Sequence, residues 1–207
     1  MALNMHKLNI LGGANMVEIS SLNSAEIASR KAMDKVFSCI ENKKNFVLEA
    51  GAGAGKTYSL IQTLKYLIKT REREMLGKYQ SIACITYTNV ARDEIDSRTD
   101  SHPLVFSTTI HSFCWNLIKN FQPKLREALS KIKSWESRLS QIKDIGNYHI
   151  EYKTGYPRIE KDHISLGHND VISLTIYLLE YEKLRKLLSI RFPIIFIDEY
   201  QDSATRC

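Results

Sequence analysis

Ala50-Gly51-Ala52-Gly53-Ala54-Gly55-Lys56-Thr57 constrains the fold of this chain more tightly than any other stretch. It follows a short apolar run, Asn45 to Ala50 (NFVLEA), and precedes a segment in which Leu60, Ile61, Leu64, Leu67 and Ile68 line one helical face. That order predicts a strand, a glycine loop and a helix. The run is a P-loop with Ala50 in place of its first glycine. A glycine-rich turn at a helix start aims backbone N–H groups and the positive end of the helix dipole at an anion, and small residues permit close approach. Residues 50 to 57 therefore read as a phosphate cradle, with Lys56 bridging terminal phosphates and the Thr57 hydroxyl a ligand for Mg²⁺.

The unit repeats in outline along the chain. Asn23 followed by Glu26 is a capping-box start, and Met33, Val36, Phe37 and Ile40 then recur at helical spacing to about Glu41. Ser81 to Thr86 (SIACIT) predicts a strand, Asn89 to Arg98 a helix and Leu104 to Ser107 a short strand. A further helix carries Ile110, Phe113, Leu117 and Ile118 in phase. Strands alternating with helices imply crossover connections, a parallel sheet and the α/β class.

From Lys124 to about Leu188 no strand is predicted. Leu125, Leu129, Ile132, Leu139 and Ile142 mark an amphipathic helix among basic residues, and a long helix is expected from near Asn169. This segment reads as a helical insertion. Phe192 to Ile197 (FPIIFI) then predicts a buried strand. Asp198 and Glu199 follow it directly, at the carboxyl end where open α/β sheets bind ligands. With the phosphate loop they complete an ATPase pair: Asp198 holding Mg²⁺ through its water shell, Glu199 taking a proton from the attacking water.

Composition excludes several classes. Of 207 residues 43% are hydrophobic, with only 4 Pro and 9 Gly, which sets aside disordered and fibrous chains. The longest clear apolar stretch, Val171 to Leu179, is far short of the ~20 residues a bilayer span needs, so no membrane partner and a cytoplasmic location are expected. Cys39, Cys84, Cys114 and Cys207 show no metal-ligand spacing. The net charge of +6 gives a modest lean toward a polyanion.

Four segments in order, AGAGAGKT (50 to 57), TYTNVARDEIDSR (86 to 98), STTIHSF (107 to 113) and FIDEYQDS (196 to 203), resemble the N-terminal motifs of superfamily 1 DNA helicases of the UvrD/Rep/PcrA type. The resemblance implies a RecA-like P-loop NTPase sheet with an inserted helical subdomain, ATP and Mg²⁺ as cofactors, and single-stranded DNA and duplex junctions as partners. It implies a RecA-like domain over 21–121 and 191–207, a helical insertion over 122–190, and an N-terminal extension over 1–20. By the same resemblance Lys56 and Thr57 serve phosphate and metal, Asp198 and Glu199 metal and base, and Gln201 couples nucleotide state to DNA. Thr86, Tyr87, Thr88 and Asn89 match residues lining the single-strand path, where a Tyr ring stacks on any base and hydroxyl and amide groups hold phosphates. His111 matches another strand contact, and Arg98 an arginine near the nucleotide pocket.

The departures carry chemical content. Glu26 falls where the family reads adenine with a Gln, and a carboxylate accepts hydrogen bonds without donating, so relaxed base selectivity is expected. Tyr58 stands where an Arg is frequent and could stack on the base. Val90 and Arg92 replace a Lys and an Ala of the second motif, which removes one phosphate contact at position 90. The resemblance also expects a central strand, later motifs and a second RecA-like domain with arginine fingers. The sequence thus reads as a chain truncated after the Walker B strand, its missing C-terminal helicase domain or a partner supplying the fingers.

Overall fold

The computed structural model describes residues 24–49, 55–153 and 155–198. Two compact units divide the chain, Met1–Thr63 and Leu64–Cys207.

In the first unit, α1 (Ser24–Glu41) is an 18-residue helix. Asn23, the expected cap, lies outside the described residues. The helix closes by turning back on itself: Lys44 N–H donates to the Cys39 carbonyl at 2.8 Å, and Lys43 takes a φ of 53°. Residues 45–49, expected as a strand, run without strand or helix, and Val47 is 72% exposed. An apolar run becomes a strand only when a neighbour completes its hydrogen-bond ladder, which composition alone does not announce. The phosphate-loop helix, α2 (Lys56–Gly77), is longer than its apolar stripe alone predicts.

The second unit is built around β1 (Ile82–Thr86), all five residues of which are buried. α3 (Asn89–Arg98) leads to β2 (Val105–Thr109), and β6 (Ile194–Ile197) returns from the far end of the chain. The sheet order is β2-β1-β6, with both pairings parallel. Ile82 pairs with Val105 on one side and Ile194 on the other, so the carboxyl ends of all three strands finish together. A mixed α/β unit with this parallel sheet fits a RecA-like helicase domain. Ala83, Ile85 and Phe113 form a core under its face, with Phe106, Leu188 and Phe192 packed against them. The expected buried strand at 192–197 is only half buried: Ile195 is 39% and Ile197 48% exposed. Ile195 and Ile197 register with Ala83 and Ile85, and β6 stands at the end of the sheet order among the described residues, whereas β1 is flanked on both edges.

Between β2 and β6 the chain forms α4 (Ile110–Ile118), α5 (Gln122–Leu129), a 3₁₀ turn (Lys133–Trp135) and α6 (Glu136–Leu139). It continues as β3 (His149–Tyr152), β4 (Arg158–Ile159), β5 (His163–Leu166), α7 (His168–Leu179) and α8 (Glu182–Arg191). The expectation of helices alone is corrected here, because β3, β5 and β4 make a second, mixed sheet. The expected basic helix is broken into α5, the turn and α6, and the expected long helix breaks at Tyr181, whose ψ of 119° is extended. Lys124 and Lys131 both pair with Glu127 and lie over the rings of Tyr181 and Tyr177. No helix among the described residues is long and apolar enough to cross a membrane.

This segment has its own core, centred on Trp135, Ile150, Ile164, Leu166 and Leu174. Asp170 ties it together. One carboxylate oxygen accepts the buried Trp135 indole N–H at 2.8 Å, and the other accepts the Gly167 N–H at 2.8 Å, closing the start of α7. Gly167 permits the chain to pass Pro157, since a Cβ there would meet the Pro157 Cγ at 3.1 Å. Removing the carboxylate orphans two donors in the protein interior. Asp170→Ala is expected to destabilise the chain by about 2–4 kcal/mol in urea unfolding, with Asp170→Asn retaining part of the loss.

Candidate functional site

The described part of the phosphate loop begins at Gly55, whose φ of 80° is a left-handed conformation that a side chain would strain. The first intrahelical bond of α2 runs from Ser59 N–H to the Gly55 carbonyl at 2.9 Å. The N–H groups of Lys56, Thr57 and Tyr58 therefore precede the helical ladder, as a phosphate-binding helix start requires. Lys56 and Thr57 are half-buried and Tyr58 is 54% exposed. Ala50, Gly51, Ala52, Gly53 and Ala54, with Glu199, Gln201 and the side chain of Glu26, lie outside the described residues.

The second motif occupies the turn at the carboxyl end of β1. Thr86 is buried, and its hydroxyl donates to the Thr88 carbonyl at 3.0 Å, so the side chain holds the turn from inside. Tyr87 follows it and is 42% exposed. Thr88 caps α3, its hydroxyl oxygen accepting from Ala91 N–H at 3.2 Å. Asn89 opens the helix, its amide oxygen accepting from Arg92 Nη1 at 3.0 Å. Arg98, in the last turn, pairs with Glu94 at 2.9 Å and is half exposed.

Asp198 joins the same edge from β6, its backbone N–H donating to the Ile85 carbonyl at 2.9 Å. Burial together with the charges of Asp96 and Asp198 pushes the Cys84 thiol well above its ordinary range, which keeps it protonated and unreactive. The Asp96 carboxylate accepts the Ser107 hydroxyl, which fastens α3 to β2. At the end of β2 Thr109 caps α4, with Ser112 N–H directed to its hydroxyl oxygen. Parallel register thus brings together Tyr87, Thr88, Asn89, His111 and Asp198, contributed by three separate strand ends.

Sequence reasoning missed His168, which contacts this group, and Tyr152, which contacts His168 in turn. His111 packs on His168, with ring centroids 4.4 Å apart, and the Tyr152 hydroxyl lies 2.5 Å from His168 Nδ1. Both residues arrive from the segment between β2 and β6, and no local motif marks their meeting. Burial, and secondarily His168, lower the proton affinity of His111 below its ordinary 6.5. The unfolded chain then binds the proton more readily than the folded one. The stability contributed by neutral His111 is fully present above about pH 6.5 and is lost as pH falls through the lower folded value. Urea unfolding across this window should show wild-type stability declining in acid and a shallower decline in His111→Phe.

The family model of the UvrD/REP helicase N-terminal domain matches residues 31–165. The chain is 38% identical over 132 residues to the Gabija protein GajB of Bacillus cereus (strain HuB5-5), covering 64% of this chain and 18% of that protein. It is 25% identical over 207 residues to the ATP-dependent DNA helicase PcrA of Staphylococcus aureus (strain Mu50 / ATCC 700699), covering 76% of this chain and 28% of PcrA. It is 28% identical over 134 residues to the RecBCD enzyme subunit RecB of Borreliella burgdorferi, covering 55% of this chain and 11% of that subunit. The chain therefore spans between 11% and 28% of the length of these curated relatives. No solved structure matches it. The family match extends over more than half of the chain and agrees with the parallel sheet and its motif-bearing strand ends: the chain belongs to the UvrD/REP helicase N-terminal domain family.

Proposed function

We propose that this chain is the ATP-binding N-terminal part of a UvrD-like DNA helicase, coupling ATP hydrolysis to movement along single-stranded DNA and to duplex unwinding. The observation that carries the reading is the convergence of Tyr87, Thr88, Asn89, His111 and Asp198 on the carboxyl edge of one parallel sheet. Open α/β sheets bind their ligands at that edge. PcrA, by its name an ATP-dependent DNA helicase, supports the same reading through similarity.

In this reading ATP supplies the phosphoanhydride bond and Mg²⁺ neutralises charge on its phosphates. Residues 50 to 57 hold the phosphates, Lys56 by its ammonium group, and Thr57 and Asp198 hold the metal. Glu199 accepts the proton of the attacking water, Gln201 relays nucleotide state, and Arg98 stands by the nucleotide. Tyr58 stacks on the base and Glu26 reads it with relaxed selectivity. Tyr87 stacks on successive bases while Thr88, Asn89 and His111 hold the strand, a sequence-blind contact suited to a motor. The buried Thr86 acts by holding the turn that presents them. In this reading residues 21–121 and 191–207 form the ATP-binding core and residues 122–190 the inserted subdomain, which shares its hydrophobic core with Cys114 and Ile118 of α4. Arginine fingers come from a further helicase domain or a partner.

The reading is tested by ATP binding and turnover with and without oligothymidylate. With the arginine fingers supplied from elsewhere, nucleotide binding with slow turnover is expected of this chain alone, Lys56→Ala should remove the binding, and GTP should bind comparably to ATP. A folded chain that binds neither nucleotide would contradict the proposal, and turnover stimulated by oligothymidylate would show that hydrolysis needs no further domain.

A further inference from the structure

Arg92 departs from the second motif, and its surroundings give it a defined task. Its Nε and Nη2 donate to Asp93 Oδ1 at 3.0 and 2.7 Å, while Nη1 donates to Asn89 Oδ1 at 3.0 Å. The guanidinium is thus held by one carboxylate and in turn holds the amide of Asn89. A terminal amide has two orientations that differ only in which end faces a neighbour. Turned the other way, Asn89 would set its NH₂ group against the guanidinium, donor against donor. The bond from Nη1 therefore fixes the carbonyl inward and leaves both Nδ2 hydrogens to donate outward.

We propose that Arg92 is a positioning residue that locks Asn89 as a hydrogen-bond donor toward the phosphate backbone of single-stranded nucleic acid. The inference rests on the functional reading above, which makes Asn89 a strand contact. Arg92 does not itself meet the phosphate. Three of its donors are committed, its charge is offset by Asp93, and a phosphate contact at position 90 is absent because Val90 stands there, 78% exposed. Orientation of the neutral amide takes over part of what a cation would supply.

The test is binding of fluorescent oligothymidylate to the full chain across a range of salt concentrations, with folding checked by circular dichroism. Asn89→Ala and Arg92→Ala are each expected to weaken binding about three- to tenfold, the effect of one modest hydrogen bond. The double variant should be no weaker than Asn89→Ala, and Arg92→Lys should restore part of the loss. The salt dependence of Arg92→Ala should match that of wild type. A residue touching phosphate would instead reduce the log–log slope by about 0.7, the value for one single-strand contact. A reduced slope, losses that add in the double variant, or unchanged binding in Arg92→Ala would each overturn the proposal while leaving the functional reading intact. Failure of the wild-type chain to bind the oligonucleotide would overturn that reading, and this inference with it.

Discussion

The ladder that holds β1 between β2 and β6 is the constraint on which the second unit depends. Five consecutive buried residues, hydrogen-bonded on both edges, leave β1 no freedom to slip. A slip of one residue would turn Ala83 and Ile85 away from Phe113 and bring Cys84 to that face. Because both neighbours run parallel, the same ladder decides where Tyr87, His111 and Asp198 arrive. Antiparallel pairing with either strand would send its motif to the opposite edge. The chemistry at the strand ends is therefore a consequence of pairing, and the polar turn residues only finish what the apolar strand imposes.

A second layer of control comes from groups that hold other groups. Thr86 turns inward to brace the 87–89 turn, Thr88 and Thr109 cap the helices that leave the sheet, and Asp96 fastens α3 to Ser107. The segment between β2 and β6 touches the same region through His168, whose ring lies against His111. That contact joins α4, which begins at the motif, to α7, whose start is fixed by Asp170. The hydrophobic core around Trp135 thus reaches the candidate nucleic-acid edge through a short line of packed side chains.

Much of this was legible in the sequence where a pattern is repeated. β1, α3, β2 and α4 follow from the apolar pattern and its alternation of strand and helix, and the placement of Asp198 follows from the apolar run before it. The mixed sheet β3-β5-β4 was not legible, because strands of two to four residues bury too few side chains to establish alternation. The break between α7 and α8 has no Gly or Pro to announce it. FPIIFI reads as buried on both faces, yet β6 ends the sheet order among the described residues, and Ile195 and Ile197 are partly in solvent. NFVLEA reads as a strand from its own composition, although strandedness belongs to a pair. The association of Tyr152, His168 and His111 was invisible for the same reason: it is a tertiary contact between segments with no local signature.

The central claim is that the carboxyl edge of the parallel sheet faces single-stranded nucleic acid. Backbone hydrogen exchange with and without oligothymidylate tests it most directly. The account predicts slowed exchange over residues 87–92 and 110–112, where the second and third motifs leave the sheet. Protection confined to the basic surface of α5, with those segments unchanged, would contradict it.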